Sequence, residues 1–251
     1  MVARHDQVTD ERIRSELLTA RRGTAFFARK LSELSYADMD APSLLPGWTR
    51  RHLIAHVGYN ARAVSRLVEW AATGVETPMY PDMDYRNREI AFGATLQPIA
   101  LLNLFDHSAV HLSVEWRDLP DEKWTAKVRT AQGRTVPVSE TVWMRTREVW
   151  LHAVDLDNGA RFTDIPADVL RRLLTDITGV WATRGESYVL AVVGGPHDGE
   201  RVGATEDGTA TAVSGSLPDL VRWASGRVPA VEESGVTLTD GSAAPAAPAW
   251  I

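Results

Sequence analysis

The stretch Ser139-Glu140-Thr141-Val142-Trp143-Met144-Arg145-Thr146-Arg147-Glu148-Val149-Trp150-Leu151-His152-Ala153-Val154-Asp155 decides the fold. No Gly or Pro interrupts it, and Ser139 stands where a hydroxyl can cap a helix N-terminus. At about 100° per residue, Thr141, Arg145, Glu148, His152 and Asp155 fall within about 80° of one another. The rest of the circumference carries Val142, Trp143, Val149, Trp150 and Ala153, with Met144 and Leu151 on the other flank. A helix this apolar is expected to be largely buried. Glu148 and His152, four residues apart, lie side by side on it. Buried charges need partners or a metal. Glu-x-x-x-His on a helix lets two side chains converge on one cation. An isolated acid/His pair at this spacing is more often a solvated face, so a third donor elsewhere has to decide.

Working outward, 251 residues suit one large domain or two small ones. Hydrophobic residues make up 44%, enough for a packed core. The net charge of −6 leaves no basic footprint for nucleic acid or anionic membrane. No run approaches a membrane span, and the start Met-Val-Ala-Arg-His-Asp-Gln lacks an apolar signal segment. The expectation is a soluble, cytoplasmic protein with no nucleic-acid or membrane partner. Its oligomeric state stays open, a monomer included. Cysteine is absent, which excludes disulfides, thiolate metal sites and a cysteine nucleophile. Any metal must rest on His, Asp and Glu, and any thiol chemistry needs a thiol from solution.

A first helix is predicted from about Thr9, as N-cap, to Leu34, and a loop over Tyr36 to Gly47. A second helix, capped by Thr49, should run to Ala72 on the stripe Leu53, Val57, Ala61, Val64, Leu67, Val68 and Ala71. His56 lies at the edge of that stripe, Asn60 inside it, and His52 further round in a basic, wet first turn. By itself His56 reads as a hydrogen-bonded histidine at the core edge. Gly74 to Thr95 reads as a long irregular connection, a kind of loop that is often functional. Its Arg86 and Arg88 suit either an anionic ligand or plain solvation. Pro98 to Trp116 is a third long helix, with Leu101, Phe105, Ser108 and Leu112 inward and His107 and His111 at the surface. Trp124 to Val136 reads as a hairpin turning at Gln132-Gly133.

Four such helices predict an antiparallel four-helix bundle over residues 1–160, a fold that builds metal sites from facing helices. Residues 161–251 change character. They carry a helix from Pro166 to Thr183, short runs at Tyr188–Val193 and Gly208–Val213, a helix from Leu217 to Ser225 and a last strand at Val236–Thr239. The Ala/Pro-rich tail over 243–249 should be extended, with Trp250-Ile251 packing back. The fold class is therefore α+β: a bundle followed by a smaller α+β domain. Together His56, Glu148 and His152 make three N/O donors with an open position, a catalytic rather than a structural set. Zinc and non-heme Fe(II) both suit it.

Two segments carry a resemblance. Gly47-Trp48-Thr49-Arg50-Arg51-His52-Leu53-Ile54-Ala55-His56-Val57, followed by Trp143 through Leu156, is similar to the mycothiol-dependent maleylpyruvate isomerases, which belong to the DinB-like metal-binding four-helix bundles. The likeness extends over Thr125 to Pro137 and Ser214 to Arg227. It implies zinc on His56, Glu148 and His152, agreeing with the angular position of His52; many DinB-like relatives carry His where Glu148 stands. It also implies substrate-carboxylate recognition by Arg86 and Arg227, the latter from the C-terminal domain at a domain interface. The implied reaction turns maleylpyruvate into fumarylpyruvate in gentisate catabolism, with mycothiol as thiol cosubstrate and a small dicarboxylate as substrate. Arg145 and Asp155, on the same stripe, are either partners that orient Glu148 and His152 or a plain surface salt link. Two other functions remain: a mycothiol S-transferase or other thiol-dependent detoxifier on the same bundle, and a non-enzymatic, metal-stabilised protein that binds a small ligand.

Overall fold

The computed structural model describes residues 5–203, 210–228 and 234–250. Contacts divide the chain into two compact units, Met1–Ala160 and Arg161–Ile251.

Among the described residues the first unit holds five α-helices: α1 (Glu11–Ser32), α2 (Arg50–Thr73), α3 (Met83–Ala94), α4 (Pro98–Asp118) and α5 (Glu140–Asp155). Four of them form the bundle. α1 packs on α5, α5 on α2, α2 on α4, and α4 closes the ring on α1. The helical spacing of the apolar residues accounts for this. Ile13, Leu17, Ala20, Phe27 and Leu31 of α1 are buried, as is the whole run Leu53–Ala61 of α2. The expected inner residues of α4, Leu101, Phe105, Ser108 and Leu112, are buried too, with Pro98 in its first turn. His107 and His111 are exposed, as the spacing predicts. Small residues allow the closest approaches. A Cβ on Gly23 would meet Trp150 Nε1 at 2.6 Å, and one on Gly93 would meet Ala55 Cβ at 2.7 Å.

Several local expectations are corrected. Asp10, not Thr9, caps α1, accepting from the Arg12 and Ile13 amides. Thr9 instead bonds Asp121 through both its amide (2.7 Å) and its hydroxyl (2.6 Å). Ser139 adopts helical φ and ψ and makes no cap; the Thr141 hydroxyl bonds the Val138 carbonyl at 2.6 Å instead. His52 is half-buried rather than wet, because its Nδ1 closes a capping box on Thr49. The connection 74–95 is not irregular: it contains α3, capped by Asp82, which accepts from the Tyr85 amide at 2.6 Å. The expected hairpin is present as β1 (Lys127–Arg129) and β2 (Thr135–Pro137), antiparallel and turned at Gly133 with φ 81°.

The second unit contains α6 (Ala167–Thr183), β3 (Tyr188–Val192), β4 (Arg201–Gly203), β5 (Thr211–Gly215), α7 (Leu217–Ala224) and β6 (Thr237–Leu238). The sheet order is β4-β3-β5-β6; β3 and β5 are parallel, the other pairs antiparallel. Strand β4 carries only Val202 inward between exposed Arg201 and Gly203, too short a signal for the sequence to announce. The expected second strand begins at Thr211; Gly208 and Thr209, where it was to start, lie outside the described residues, as does Ile251. Trp181, Tyr188 and Trp223 form an aromatic cluster with centroids 5.3–5.8 Å apart. Among the described residues no helix is long and apolar enough to cross a membrane.

Candidate metal centre

Two helices bring three donors together. His56 comes from α2, Glu148 and His152 from α5, with ligand atoms within 4.8 Å of one another. His56 Nε2 lies 2.8 Å and His152 Nε2 3.2 Å from the same Glu148 Oε2. The imidazoles meet edge to face with centroids 4.9 Å apart, and Trp48 stands T-shaped to His56 at 5.5 Å. The helices are locked in register beside this point. Arg50, in the first turn of α2, donates to the Leu156 and Asp157 carbonyls, both at 2.6 Å, at the negative end of α5.

The surroundings are dry. His56 and His152 are buried, and the Glu148 side chain is 17% exposed. Burial pushes the His56 ring down from its ordinary value, outweighing Glu148, so the ring is neutral and able to ligate. Burial would raise Glu148, but hydrogen bonds from His152 and His56 hold it well below the usual carboxylate range. Burial would lower His152; bonds to Asp155 and Glu148 outweigh it and raise the ring. Asp155, fully buried, bonds His152 Nδ1 at 2.8 Å and leaves Nε2 for an ion, the carboxylate–histidine arrangement typical of metal ligands.

Arg145, one turn before Glu148, is 1% exposed, which rules out the surface salt link. Its Nη1 donates to the Val57 carbonyl at 2.7 Å and to Asn60 Oδ1 at 2.9 Å, tying α5 to the turn of α2 that follows His56. Its Nη2 is buried without a hydrogen-bond partner. Burial pushes this guanidinium down to about 10, so it is still charged at neutral pH. Arg86, on α3, places Nη2 3.3 Å from His56 Nδ1. Arg227, just after α7, donates from Nη1 to the Ser225 carbonyl at 2.9 Å.

Sequence reasoning missed Tyr80. Burial pushes its phenol up to about 12, against the charge of Arg86 and with that of Glu148. It therefore stays protonated, a donor rather than a base. Its position in a connection, before α3 and off any helical stripe, gave no periodic signal. A second group, Glu69, His111 and Glu115, also brings donor atoms together, but on a wetter face where His111 is 49% exposed. The cleft of about 310 Å³ lined by Tyr59, Arg62, Asn103 and His107 touches none of the three donors.

The donor set itself fits a divalent ion: two imidazoles, one carboxylate, and a supporting carboxylate behind one histidine. Comparison with known proteins then fixes the family. The profile of the mycothiol maleylpyruvate isomerase N-terminal domain matches residues 20–157, and that of the MDMPI C-terminal domain matches 164–249. The chain belongs to the mycothiol maleylpyruvate isomerase family. Two solved structures, of the mycothiol-dependent maleylpyruvate isomerase and of a histidine-to-alanine variant of it, are each 48% identical with a TM-score of 0.87, covering 95% of this chain and 97% of theirs. A third, YfiT from Bacillus subtilis, a probable metal-dependent hydrolase with an unusual four-helix bundle topology, is 15% identical with a TM-score of 0.47, too distant to argue from. No curated protein matches. The expected fold class holds for this family member: α+β, a four-helix bundle with a smaller C-terminal α+β part.

Proposed function

We propose that this protein is a zinc- and mycothiol-dependent cis–trans isomerase that converts maleylpyruvate to fumarylpyruvate, a step of gentisate catabolism in the cytoplasm. The observation that carries the reading is the buried convergence of His56, Glu148 and His152 in a chain of this family. Rotation about a C=C bond requires that bond to become single for a moment. A thiolate adds to one alkene carbon and the electron pair moves onto the conjugated carbonyl as an enolate. After rotation the enolate collapses, the C–S bond breaks, and the thiolate leaves with the trans alkene restored. The chain has no cysteine, so the nucleophile must be borrowed, and mycothiol fills that need. A divalent ion held by His56, Glu148 and His152 would supply Lewis acidity, lowering the thiol's pKa or polarising a substrate oxygen.

The chain's own groups do the rest. Arg86 and Arg227 pair with the substrate carboxylates, for which the planar guanidinium is suited. Asp155 keeps His152 Nε2 available, and Arg145 holds α2 against α5 while keeping a positive charge beside the site. Tyr80, protonated, donates to developing negative charge. The test follows absorbance of maleylpyruvate with zinc-loaded protein, with and without mycothiol. Thiol-dependent formation of fumarylpyruvate is expected. Thiol-dependent consumption without that product would point to S-transfer, and no thiol-dependent change would overturn the reading.

A further inference from the structure

We propose that the Arg86–His56 hydrogen bond and metal ligation by His56 are mutually exclusive, so that an ion drives Arg86 off His56 and onto a substrate carboxylate. The proposal rests on the metal site described above and adds a coupling between it and substrate recognition.

The two histidines are backed by opposite chemistry. Behind His152 Nδ1 stands Asp155, an acceptor, at 2.8 Å. Behind His56 Nδ1 stands Arg86 Nη2, at 3.3 Å. A guanidinium has only donors, so His56 Nδ1 must offer its lone pair. The proton of the neutral ring is then on Nε2, where it is donated to Glu148 Oε2 at 2.8 Å. Ligation through Nε2 needs the lone pair there, and the ring proton must then sit on Nδ1. That sets an N–H donor against the Arg86 donor. Coulomb repulsion between the guanidinium and a divalent ion acts in the same direction. His152 faces no such conflict, because the Asp155 acceptor suits the metal-binding tautomer. Arg86 has the freedom to leave: it is half-buried on α3, and its Nη1 bonds the exposed Asn87 Oδ1 at 3.2 Å. An ion at the centre thus turns a ligand-blocking arginine into a free one beside the metal, where a dicarboxylate can take it.

The test is zinc affinity by chelator competition in the full-length protein, for the parent, Arg86→Met and Arg86→Gln. Methionine removes the conflicting donor, and glutamine can offer an oxygen to Nδ1–H. Both variants should bind zinc about tenfold tighter, the scale on which groups behind a ligand act. Maleate, as an unreactive cis-dicarboxylate, should tighten zinc binding in the parent and not in Arg86→Met, by linkage. Nitrogen NMR should show His56 with its proton on Nε2 in zinc-stripped parent and on Nδ1 after zinc is added. Equal or weaker zinc binding in both variants overturns the proposal, as does an Nδ1–H tautomer in the zinc-stripped parent. A maleate effect of equal size in Arg86→Met overturns the transfer to carboxylate. A parent that takes up no zinc at all overturns the underlying metal site instead, and the parent titration alone reveals it.

Discussion

Asp155 decides which nitrogen of His152 faces the centre. With its carboxylate 2.8 Å from Nδ1, the ring presents Nε2 beside Glu148. Asp155→Ala should leave the fold in place and weaken zinc binding about ten- to hundredfold in chelator competition. Unchanged affinity would show that packing alone orients the ring. Arg145 poses a different question, since a buried cation can be replaced more safely than deleted. Arg145→Met fills the space but leaves Asn60 Oδ1 and the Val57 carbonyl without their donor, and should cost about 1–3 kcal/mol in urea. Arg145→Ala opens a cavity and orphans Asn60, and should lose about 3 kcal/mol or more. Helix geometry fixes direction and so puts both residues on the ligand stripe. It leaves open whether Arg145 is wet or buried, since that depends on α2 lying over it. Tyr80 escaped notice for a related reason: a residue in a connection belongs to no periodic pattern, and its nearness to Arg86 is a product of tertiary folding.

At the scale of elements, α3 is the piece the sequence concealed. Only Ile90, Gly93 and Ala94 of it are buried, while Met83, Tyr85 and Phe92 lie exposed, so its apolar pattern does not follow a helical face. The Asp82 cap and the close fit of Gly93 on Ala55 and Tyr59 hold it in place. Gly93→Val should therefore push α3, and with it Arg86, away from α2. The expected cost is about 1–3 kcal/mol in urea unfolding; an unchanged midpoint would mean the contact gives way freely. In the second unit, His197 bonds Glu200 through Nδ1 at 2.9 Å and meets Asp168 at 3.3 Å. The Glu200 hydrogen bond raises the imidazole, against slight burial. A raised folded value means the stabilisation is complete below the unfolded value of about 6.5 and is lost as pH rises through the folded one. Hydrogen exchange in the turn over 194–200 should quicken across that window, and His197→Gln should abolish the change. The long helices α1, α2, α4 and α5 were legible because fifteen or more residues of repeating pattern outweigh local ambiguity, whereas β4 offers a single inward residue.

At the scale of the whole molecule, all three proposed ligands lie in Met1–Ala160, which has its own core. Residues 1–160 expressed alone should fold and take up one zinc ion per chain. Arg227 lies in the other unit, so if it recognises a substrate carboxylate, that piece should hold metal yet fail to turn over maleylpyruvate. The family relationship spans both units, and the bundle-plus-α+β order was readable from the change of composition after Gly159. What decides the account is the centre itself. Metal analysis of the purified full-length protein, beside His56→Ala, tests it most directly. About one zinc per chain in the parent and almost none in a folded His56→Ala variant is the result expected. Equal metal content in the two proteins, or a zinc-incubated parent that folds and retains none, would contradict it.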